Sequence, residues 1–303
     1  MFDVRRLRVL SEVSTHGSFS GAAAALSITQ SAVSQHITAL EKEVGGPLVE
    51  RGTRPVQLTE AGSALARHTT GILARLDAAE QELAVIAGRR RDRLRFGCFP
   101  TVLSTLMPSA FARFRRSHPD VRLTVVDDHL HRLVPRMDDG ELDLAVIYDH
   151  EALPDVGARA LVRTPLLDDR FQAVLPAQHP LARRKAALHL RDLQREPWIG
   201  GAPSSAWYQI VRHACRIAGF APEAGFASDD YIAVQALVAA GLGVSVVPGL
   251  AVVHPLPGVA VRQLASGAPV RRISAVCPLD GYRSPALDAM IDSLQITARA
   301  MES

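Results

Sequence analysis

Apolar residues in the first 45 positions recur at helical spacing and predict three consecutive helices. The first helix covers residues 3–15 and ends at a His-Gly-Ser run. Ser18 can cap a second helix, which passes through the small residues at 21–25, and Thr29 can cap a third, which ends at Gly45. The chain is therefore predicted to begin with an all-α unit.

The third helix has an outer face that is unusual for a helix in solvent. Its inner stripe is apolar, at spacings of four, three and four residues: Val33, Ile37, Leu40 and Val44. The opposite side carries hydroxyls and amides where lysine and glutamate are usual: Ser31, Ser34, Gln35 and Thr38. Such side chains can reach base edges and phosphates in a DNA major groove. The pattern predicts a recognition helix, and the alternative is an ordinary polar surface.

One long helix is predicted from Thr59 to about Ala87. Two rows of mostly apolar residues recur every seven positions: Leu65, Ile72, Ala79 and Ile86, then Thr69, Leu76 and Leu83. A seam sustained over three heptads predicts a two-stranded coiled coil. The alternative is that the seam packs against the same chain.

After an arginine-rich segment at 89–93, short apolar strands alternate with amphipathic helices. Five segments predict buried strands: LRFGCF, VRLTVV, LDLAVIY, FQAVLP and VSVVP. Alternating strands and helices predict an α/β fold, with parallel sheets covered by helices on both faces. Two such units in the remaining length predict two lobes that face each other across a cleft.

An uncharged stretch at 232–253 is long enough to span a bilayer. Gly241, Gly243 and Pro248 would break such a helix, so the pattern favours a buried helix, a glycine turn and a buried strand. The N-terminus has no apolar core followed by a small-residue cleavage site. We therefore expect no signal peptide, no membrane partner and a cytoplasmic location.

Composition adds charge and redox information to this pattern. Hydrophobic residues make up 48% and charged residues 21%, as in a soluble protein with a sizeable core. The net charge of +3 permits nucleic-acid binding without arguing for it. Three widely separated cysteines rule out a disulfide framework and any CxxC motif, and fit a reducing compartment: Cys98, Cys215 and Cys277.

The sequence carries no motif of a familiar enzyme class. It has no GxxxxGK[ST] loop, no GxSxG elbow and no HExxH, and the glycines at 241 and 243 lack the third glycine of a dinucleotide site. We therefore expect neither catalysis nor a cofactor. The two lobes alone would permit a solute-binding receptor, which is kept as the alternative function.

Two parts of the chain resemble LysR-type transcriptional regulators. The first is GSFSGAAAALSITQSAVSQHITALEKEVGGPLVERGTRPVQLTEAG, with its alanine-rich helix, its TQSAVSQHI segment, its Leu40-Glu41 pair and its wing. Weaker landmarks follow in the family's order: FRRSHPDVRLTVV, GELDLAVIY, HPLA and LVAAGLGVSVVP. The resemblance implies a sequence-specific regulator of double-stranded DNA that is controlled by a small-molecule effector.

The resemblance also implies a domain organisation. It gives a winged helix-turn-helix over 1–58, a linker and dimerisation helix over 59–89, and an effector-binding domain over 90–303. That last domain is similar to periplasmic binding proteins, with lobe I at 90–163 plus 269–303 and lobe II at 164–268. The family pairs through the linker helix, so we expect a homodimer or homotetramer.

The expected DNA contacts combine the resemblance with the outer face of the third helix: Gln30, Ser31, Ser34, Gln35, Thr38, Arg51 and Arg54. The family often has arginine after the serine at 34, whereas this chain has Gln35. From Thr29 to Leu40 the recognition helix therefore carries no fixed positive charge. Phosphate neutralisation must depend more on Arg51, Arg54 and the N-terminal arginines.

The expected effector contacts lie in loops at the carboxyl ends of the predicted strands: Thr101, Asp128, His129, Ser204, Ser205 and Asp229. By resemblance, Thr101 matches a position that commonly touches the inducer. Thr101, Ser204 and Ser205 fall at predicted helix starts, which favour an anionic group. A carboxylate or amino-acid-like effector is therefore expected, and the alternative for each hydroxyl is simple helix capping.

Two other interpretations of this region stay open. The Asp- and His-rich loops at 127–131 and 149–151 offer a metal site, which we do not favour because surface loops collect these residues. Cys98, at a strand end, offers a thiol sensor, but an inert buried thiol is the favoured alternative because no second cysteine lies nearby.

Overall fold

The computed structural model describes residues 2–50, 55–86, 93–154, 161–279, 281 and 283–302. The chain begins with three helices: α1 (Val4–His16), α2 (Phe19–Leu26) and α3 (Gln30–Val44). The side chains of Asp3, Ser18 and Thr29 each accept a hydrogen bond from a backbone N–H in the first turn of the helix that follows. The predicted caps at Ser18 and Thr29 are confirmed.

Glu41 fastens the segment after α3 to the helices. Its Oε1 accepts hydrogen bonds from the N–H groups of Leu48 at 2.9 Å and Val49 at 3.5 Å. Val49 pairs antiparallel with Leu58, which closes the base of the predicted wing. The core of this unit is built from buried side chains of all three helices and of Leu48: Leu7, Leu10, Val13, Ala22, Val33, Ile37, Leu40 and Leu48.

The long helix α4 (Glu60–Ile86) begins against this core and packs along α1. Gly62 makes the approach possible, because an added Cβ would lie 2.0 Å from the carbonyl oxygen of Leu48. Thr69 in the heptad seam is fully buried within the chain. Later seam positions face outward: Ile72, Leu76 and Leu83 are exposed by 40%, 39% and 66%. The early part of the seam thus packs against the same chain.

The rest of the chain alternates strands and helices. The strands are β1 (Arg93–Cys98), β2 (Arg122–Asp127), β3 (Leu144–Asp149), β4 (Leu161–Pro176), β5 (Trp198–Gly200), β6 (Ala224–Ala227), β7 (Ser245–Pro248), β8 (Val259–Gln263) and β9 (Val270–Pro278). The helices are α5 (Pro100–Ser104), α6 (Leu106–Ser117), α7 (Leu130–Asp138), α8 (Ala206–Ile217), α9 (Tyr231–Ala239) and α10 (Pro285–Glu302). The predicted α/β class is confirmed.

The sheets are mixed, so the prediction of parallel sheets was only partly right. Strand β1 runs parallel to β2 and β3, but β9 runs antiparallel to both β3 and β4. The reason is the connection between the lobes. The chain leaves the first lobe along β4 and returns along β9, so the two crossing segments lie side by side in opposite directions.

Strand β4 belongs to both lobes. It pairs with β9 as far as Arg170 and with β7 and β8 from Phe171 onward. FQAVLP is therefore the second half of β4 and not a separate strand. The predicted limit of lobe I at 163 falls inside this strand, and the domain limits as a whole stay predictions.

The uncharged stretch at 232–253 forms part of α9, a glycine turn, β7 and a short 3₁₀ turn, as predicted. Gly241 and Gly243 have φ angles of 77° and 157°. An added Cβ at Gly243 would lie 2.5 Å from the carbonyl oxygen of Pro197, so glycine is required there. Within the described residues, no helix combines the length and apolarity that crossing a membrane requires.

The close contact between Gly62 and Leu48 predicts that one added methyl group at position 62 lowers the stability of the fold. Gly62→Ala must displace backbone, and we expect it to lower the free energy of unfolding by about 1–3 kcal/mol. Gly46→Ala is the matched control, because an added Cβ there meets nothing within 4 Å. Urea unfolding of both variants checks this, and equal effects of the two substitutions would contradict the packing described for α4.

Candidate DNA interface and effector cleft

The outer face of α3 is free to meet a partner. Its five predicted contact residues are all exposed: Gln30, Ser31, Ser34, Gln35 and Thr38. The inner stripe is buried at Val33, Ile37 and Leu40, but Val44 is 38% exposed, because the last turn of α3 extends beyond the core. The expected burial of Val44 was wrong. The wing residues Arg51 and Arg54 lie outside the described residues.

Two of the N-terminal arginines have acidic partners within the chain. Arg6 forms an ion pair with Glu43 at the end of α3, and Arg8 lies 3.9 Å from Asp77 on α4. Ion pairing lowers the capacity of these arginines to neutralise DNA phosphates, since the carboxylates compete for the same donors. The expectation that they share the phosphate contacts stays a prediction.

A cleft of about 640 Å³ lies between the two lobes. Five of the six residues predicted to touch an effector line it: Thr101, His129, Ser204, Ser205 and Asp229. The sixth, Asp128, is not among the lining residues, and its carboxylate accepts a hydrogen bond from the His129 N–H at 2.9 Å. Much of the remaining wall is apolar or aromatic, including Leu130, Val134, Leu153 and Trp207.

Two of the three hydroxyls at the helix starts, those of Thr101 and Ser205, already accept hydrogen bonds within the chain. Thr101 lies in the first turn of α5 and is 5% exposed, and its Oγ1 accepts a hydrogen bond from Arg271 Nη2 at 3.1 Å. Ser205 caps α8, since its Oγ accepts from the Tyr208 N–H at 3.1 Å. Helix capping, the alternative interpretation, therefore accounts for Ser205. The hydroxyls of Thr101 and Ser205 each keep a proton that can be donated.

Arg271 is the cleft residue that sequence reasoning missed. It is 3% exposed and donates to Asp169 Oδ2 from Nε at 3.1 Å and from Nη2 at 2.5 Å. Its guanidinium carbon lies 4.6 Å from the centre of the Tyr148 ring and 5.1 Å from that of Phe99. Strand alternation places Arg271 on the same side as Ile273 and was the available signal for a buried arginine.

Burial controls the ionisation of the groups around Arg271. Burial is the largest single effect on Arg271 and acts to lower its pKa. The combined effects of Asp169, Tyr231 and Tyr148 outweigh burial, so the pKa of Arg271 is raised. Burial raises the pKa of Tyr148 against the opposing effect of Arg271, and it also raises the pKa of Tyr231. The cleft therefore contains neutral tyrosine hydroxyls beside a guanidinium whose charge is already compensated.

None of the three cysteines lines the cleft. Cys98, Cys215 and Cys277 are all buried, and burial raises the pKa of Cys98 and of Cys215 to about 12, with the charge of Asp127 adding to the effect at Cys98. In the described part of the chain, no group of three His, Cys, Asp or Glu side chains could hold a metal ion. Neither the metal nor the thiol interpretation gains support.

Two family models match the chain. "Bacterial regulatory helix-turn-helix protein, lysR family" matches residues 4–63, and "LysR substrate binding domain" matches residues 87–299. A "Probable hydrogen peroxide-inducible genes activator" of Mycobacterium avium is 35% identical over 250 residues, 81% of this chain and 78% of that protein. The "Transcriptional dual regulator GltC" of Bacillus subtilis is 28% identical over 248 residues, 81% of this chain and 80% of that protein.

Solved structures share the whole architecture. A full-length OxyR variant from Pseudomonas aeruginosa superposes with a TM-score of 0.75 at 25% identity, covering 99% of this chain and 97% of that one. The likeness extends over both the helical unit and the two-lobed domain. The chain therefore belongs to the LysR family of DNA-binding transcription regulators with an effector-binding domain.

Proposed function

We propose that this regulator binds its operator as a homodimer and responds to a small carboxylate or amino-acid-like effector held between its lobes. It acts in the cytoplasm, where bacterial promoters are accessible, and as a binding protein rather than an enzyme. The observation that carries the proposal is the interlobe cleft, in which buried polar groups meet apolar walls.

In this proposal, sequence recognition belongs to the part of the outer face of α3 between Gln30 and Thr38, which carries no fixed charge. Hydroxyl and amide side chains in the groove can contact base edges, whereas positive side chains that contact phosphates add affinity for any sequence. The described α3 face supplies the first kind of group. Arg51 and Arg54 supply the second, and their share is increased because Arg6 and Arg8 have acidic neighbours.

Pairing in this proposal uses the exposed part of α4. Ile72, Leu76 and Leu83 lie at seam positions and leave apolar surface in contact with water in the single chain. Covering these side chains with the same helix of a second copy would remove that surface from solvent. Paired chains would place two copies of α3 on successive half-sites, and a tetramer would require a second contact.

The proposed role of the outer face of α3 predicts that removing its polar side chains lowers specificity for the operator. Ser34→Ala with Gln35→Ala should reduce the affinity ratio between operator and random DNA at least tenfold, because base contacts are worth about 1–3 kcal/mol each. Ser266→Ala with Gln178→Ala makes the same chemical change at exposed sites in the second lobe and should have no effect. Fluorescence anisotropy on both DNAs measures the ratio, and an equal loss on both would remove these residues from base recognition.

The proposed effector meets donors at one end of the cleft and apolar surface at the other. Thr101 Oγ1 is occupied as an acceptor by Arg271, which leaves its proton for a ligand oxygen. The Asp229 carboxylate faces the cleft and accepts the Ala202 N–H at 3.0 Å, so it can also meet an ammonium group. A carboxylate near Thr101 with an amine near Asp229 is the amino-acid-like case.

Thr101 provides the direct test of the cleft. A compound found by thermal-shift screening of carboxylates and amino acids should lose about tenfold or more in affinity with Thr101→Val, because the hydroxyl is removed and the buried Arg271 keeps Asp169 but loses one of its acceptors. Thr124→Val makes the same change on an exposed strand position outside the cleft. Calorimetry measures both, and unchanged affinity in Thr101→Val would move the effector elsewhere.

The name of the mycobacterial relative raises a second candidate function, a response to hydrogen peroxide. Thiol oxidation requires an accessible thiolate, and burial opposes this at all three cysteines of the chain. This chemistry argues against peroxide sensing by a thiol in this chain, whatever the relative does.

The buried thiols give a prediction about peroxide. The native protein should keep its operator affinity in hydrogen peroxide and should react slowly with a thiol reagent such as DTNB, because its thiols are protonated and inaccessible. A variant with Ser266→Cys places one thiol on the surface and is the positive control for the reagent. Rapid labelling of the native protein, or a peroxide-dependent change in DNA affinity, would favour the peroxide response.

A further inference from the structure

A series of buried hydrogen bonds runs from one lobe to the other through the crossing strands. The Leu250 N–H donates to Asp169 Oδ1 at 3.0 Å. Arg271 donates to Asp169 Oδ2 from Nη2 at 2.5 Å and from Nε at 3.1 Å. The same Nη2 donates to Thr101 Oγ1 at 3.1 Å. We name these four residues the interlobe network.

The network joins elements of both lobes through the two crossing strands. Leu250 lies in the 3₁₀ turn Gly249–Val252, which follows β7 in the second lobe. Thr101 lies in α5 of the first lobe, which touches that turn. Asp169 and Arg271 lie directly opposite each other on β4 and β9. Those are the strands that pass between the lobes, so the network spans the hinge.

The turn that carries Leu250 is held unusually close to β4. An added Cβ at Gly249 would lie 2.8 Å from the carbonyl oxygen of Arg170 and 3.0 Å from Asp169 Oδ1. Only a residue without a side chain allows this approach, so glycine at 249 lets the second lobe reach the Asp169 carboxylate. The contact is therefore built into the local sequence.

Burial makes each member of the network depend on the others. Thr101, Asp169, Leu250 and Arg271 are all between 3% and 8% exposed. An ion in such surroundings must be matched by its partner, because removing one charge leaves the other uncompensated. The guanidinium also packs on rings on both sides of the crossing, at 4.6 Å from Tyr148 and 5.9 Å from Phe171. Any change in the angle between the lobes must change these distances.

We propose that Asp169 and Arg271 are the tie that sets the angle between the lobes and couples it to the effector. Asp169 is a positioning residue: it holds the second lobe through Leu250 and holds Arg271 against Thr101 at the cleft wall. This role rests on the effector site proposed above. An effector that takes a hydrogen bond from Thr101 or Arg271 changes the same bonds that fix the lobes, and so shifts the population of lobe angles.

The strands contain their own control for this role. Asp168 and Arg272 also lie opposite each other on β4 and β9, one position away from the tie. Both are exposed, and neither lines the cleft. The same double substitution at this neighbouring pair changes the same two strands, leaves the net charge unchanged as the tie variant does, and does not touch the network.

The test measures the distance between the lobes in the full-length protein without effector. Cysteines introduced by Arg132→Cys on α7 and Arg212→Cys on α8 carry spin labels, since both positions are exposed and the native thiols are buried. Labelled protein is mixed with an excess of unlabelled protein, so that distances within one chain dominate. Double electron–electron resonance then gives the distance distribution.

The tie variant is Asp169→Asn with Arg271→Met. It leaves no unpaired charge, and the amide at 169 can still accept the Leu250 N–H, which favours folding. We expect its distance distribution to broaden about twofold or to shift, since the lobes are no longer fixed. Asp168→Asn with Arg272→Met should keep the wild-type distribution. A wild-type distribution in the tie variant, or equal broadening in the control, would overturn the proposal.

Thr101→Val is the second variant, and it tests the role of the network if the tie variant does not fold. It leaves the ion pair intact and removes only the acceptor in the first lobe, so its distribution should be broader than that of the wild type. An unchanged distribution in this variant would then overturn the proposal. Because no effector is present, failure of the effector site would show as absent ligand binding and leave this distance measurement standing.

Discussion

The buried charge of Arg271 is the constraint on which the two-lobed domain depends. A guanidinium that is 3% exposed must be matched within the protein, because the cost of removing an unpaired ion from water is several kcal/mol. Asp169 on the neighbouring strand supplies the matching charge, and Thr101 and the aromatic rings supply the remaining contacts. This one requirement brings together the crossing strands, the wall of the cleft and the turn of the second lobe.

The two ends of the molecule use electrostatics in opposite ways. In the cleft a full charge is buried and compensated, so the surrounding hydroxyls act as directed donors in an apolar space. Between Gln30 and Thr38 the outer face of α3 has no fixed charge, and the proposed recognition depends on hydrogen bonds that differ between base pairs. Long α4 lies between these two regions of the chain. We propose that a change in lobe angle reaches the DNA-binding unit through α4.

Local patterns predicted the elements well and their packing less well. The stripe of Val33, Ile37 and Leu40 predicted the buried side of α3, but the period alone could not show that the core ends before Val44. The heptads predicted α4, yet the seam is divided, because Thr69 packs within the chain while Leu83 faces outward.

Cleft residues at helix starts were found from strand order. Arg271 was not, since its importance comes from Asp169, which is distant in sequence and adjacent only in the folded sheet.

In the proposed mechanism, the effector cleft and the DNA-binding face are coupled through the arrangement of the lobes. The most direct measurement compares effector affinity with and without operator DNA, and operator affinity with and without effector, on the same full-length protein. The account predicts that both ratios differ from one by the same factor, about 5- to 150-fold, because coupling between two binding sites is reciprocal. Identical affinities in the presence and absence of the other ligand would contradict it.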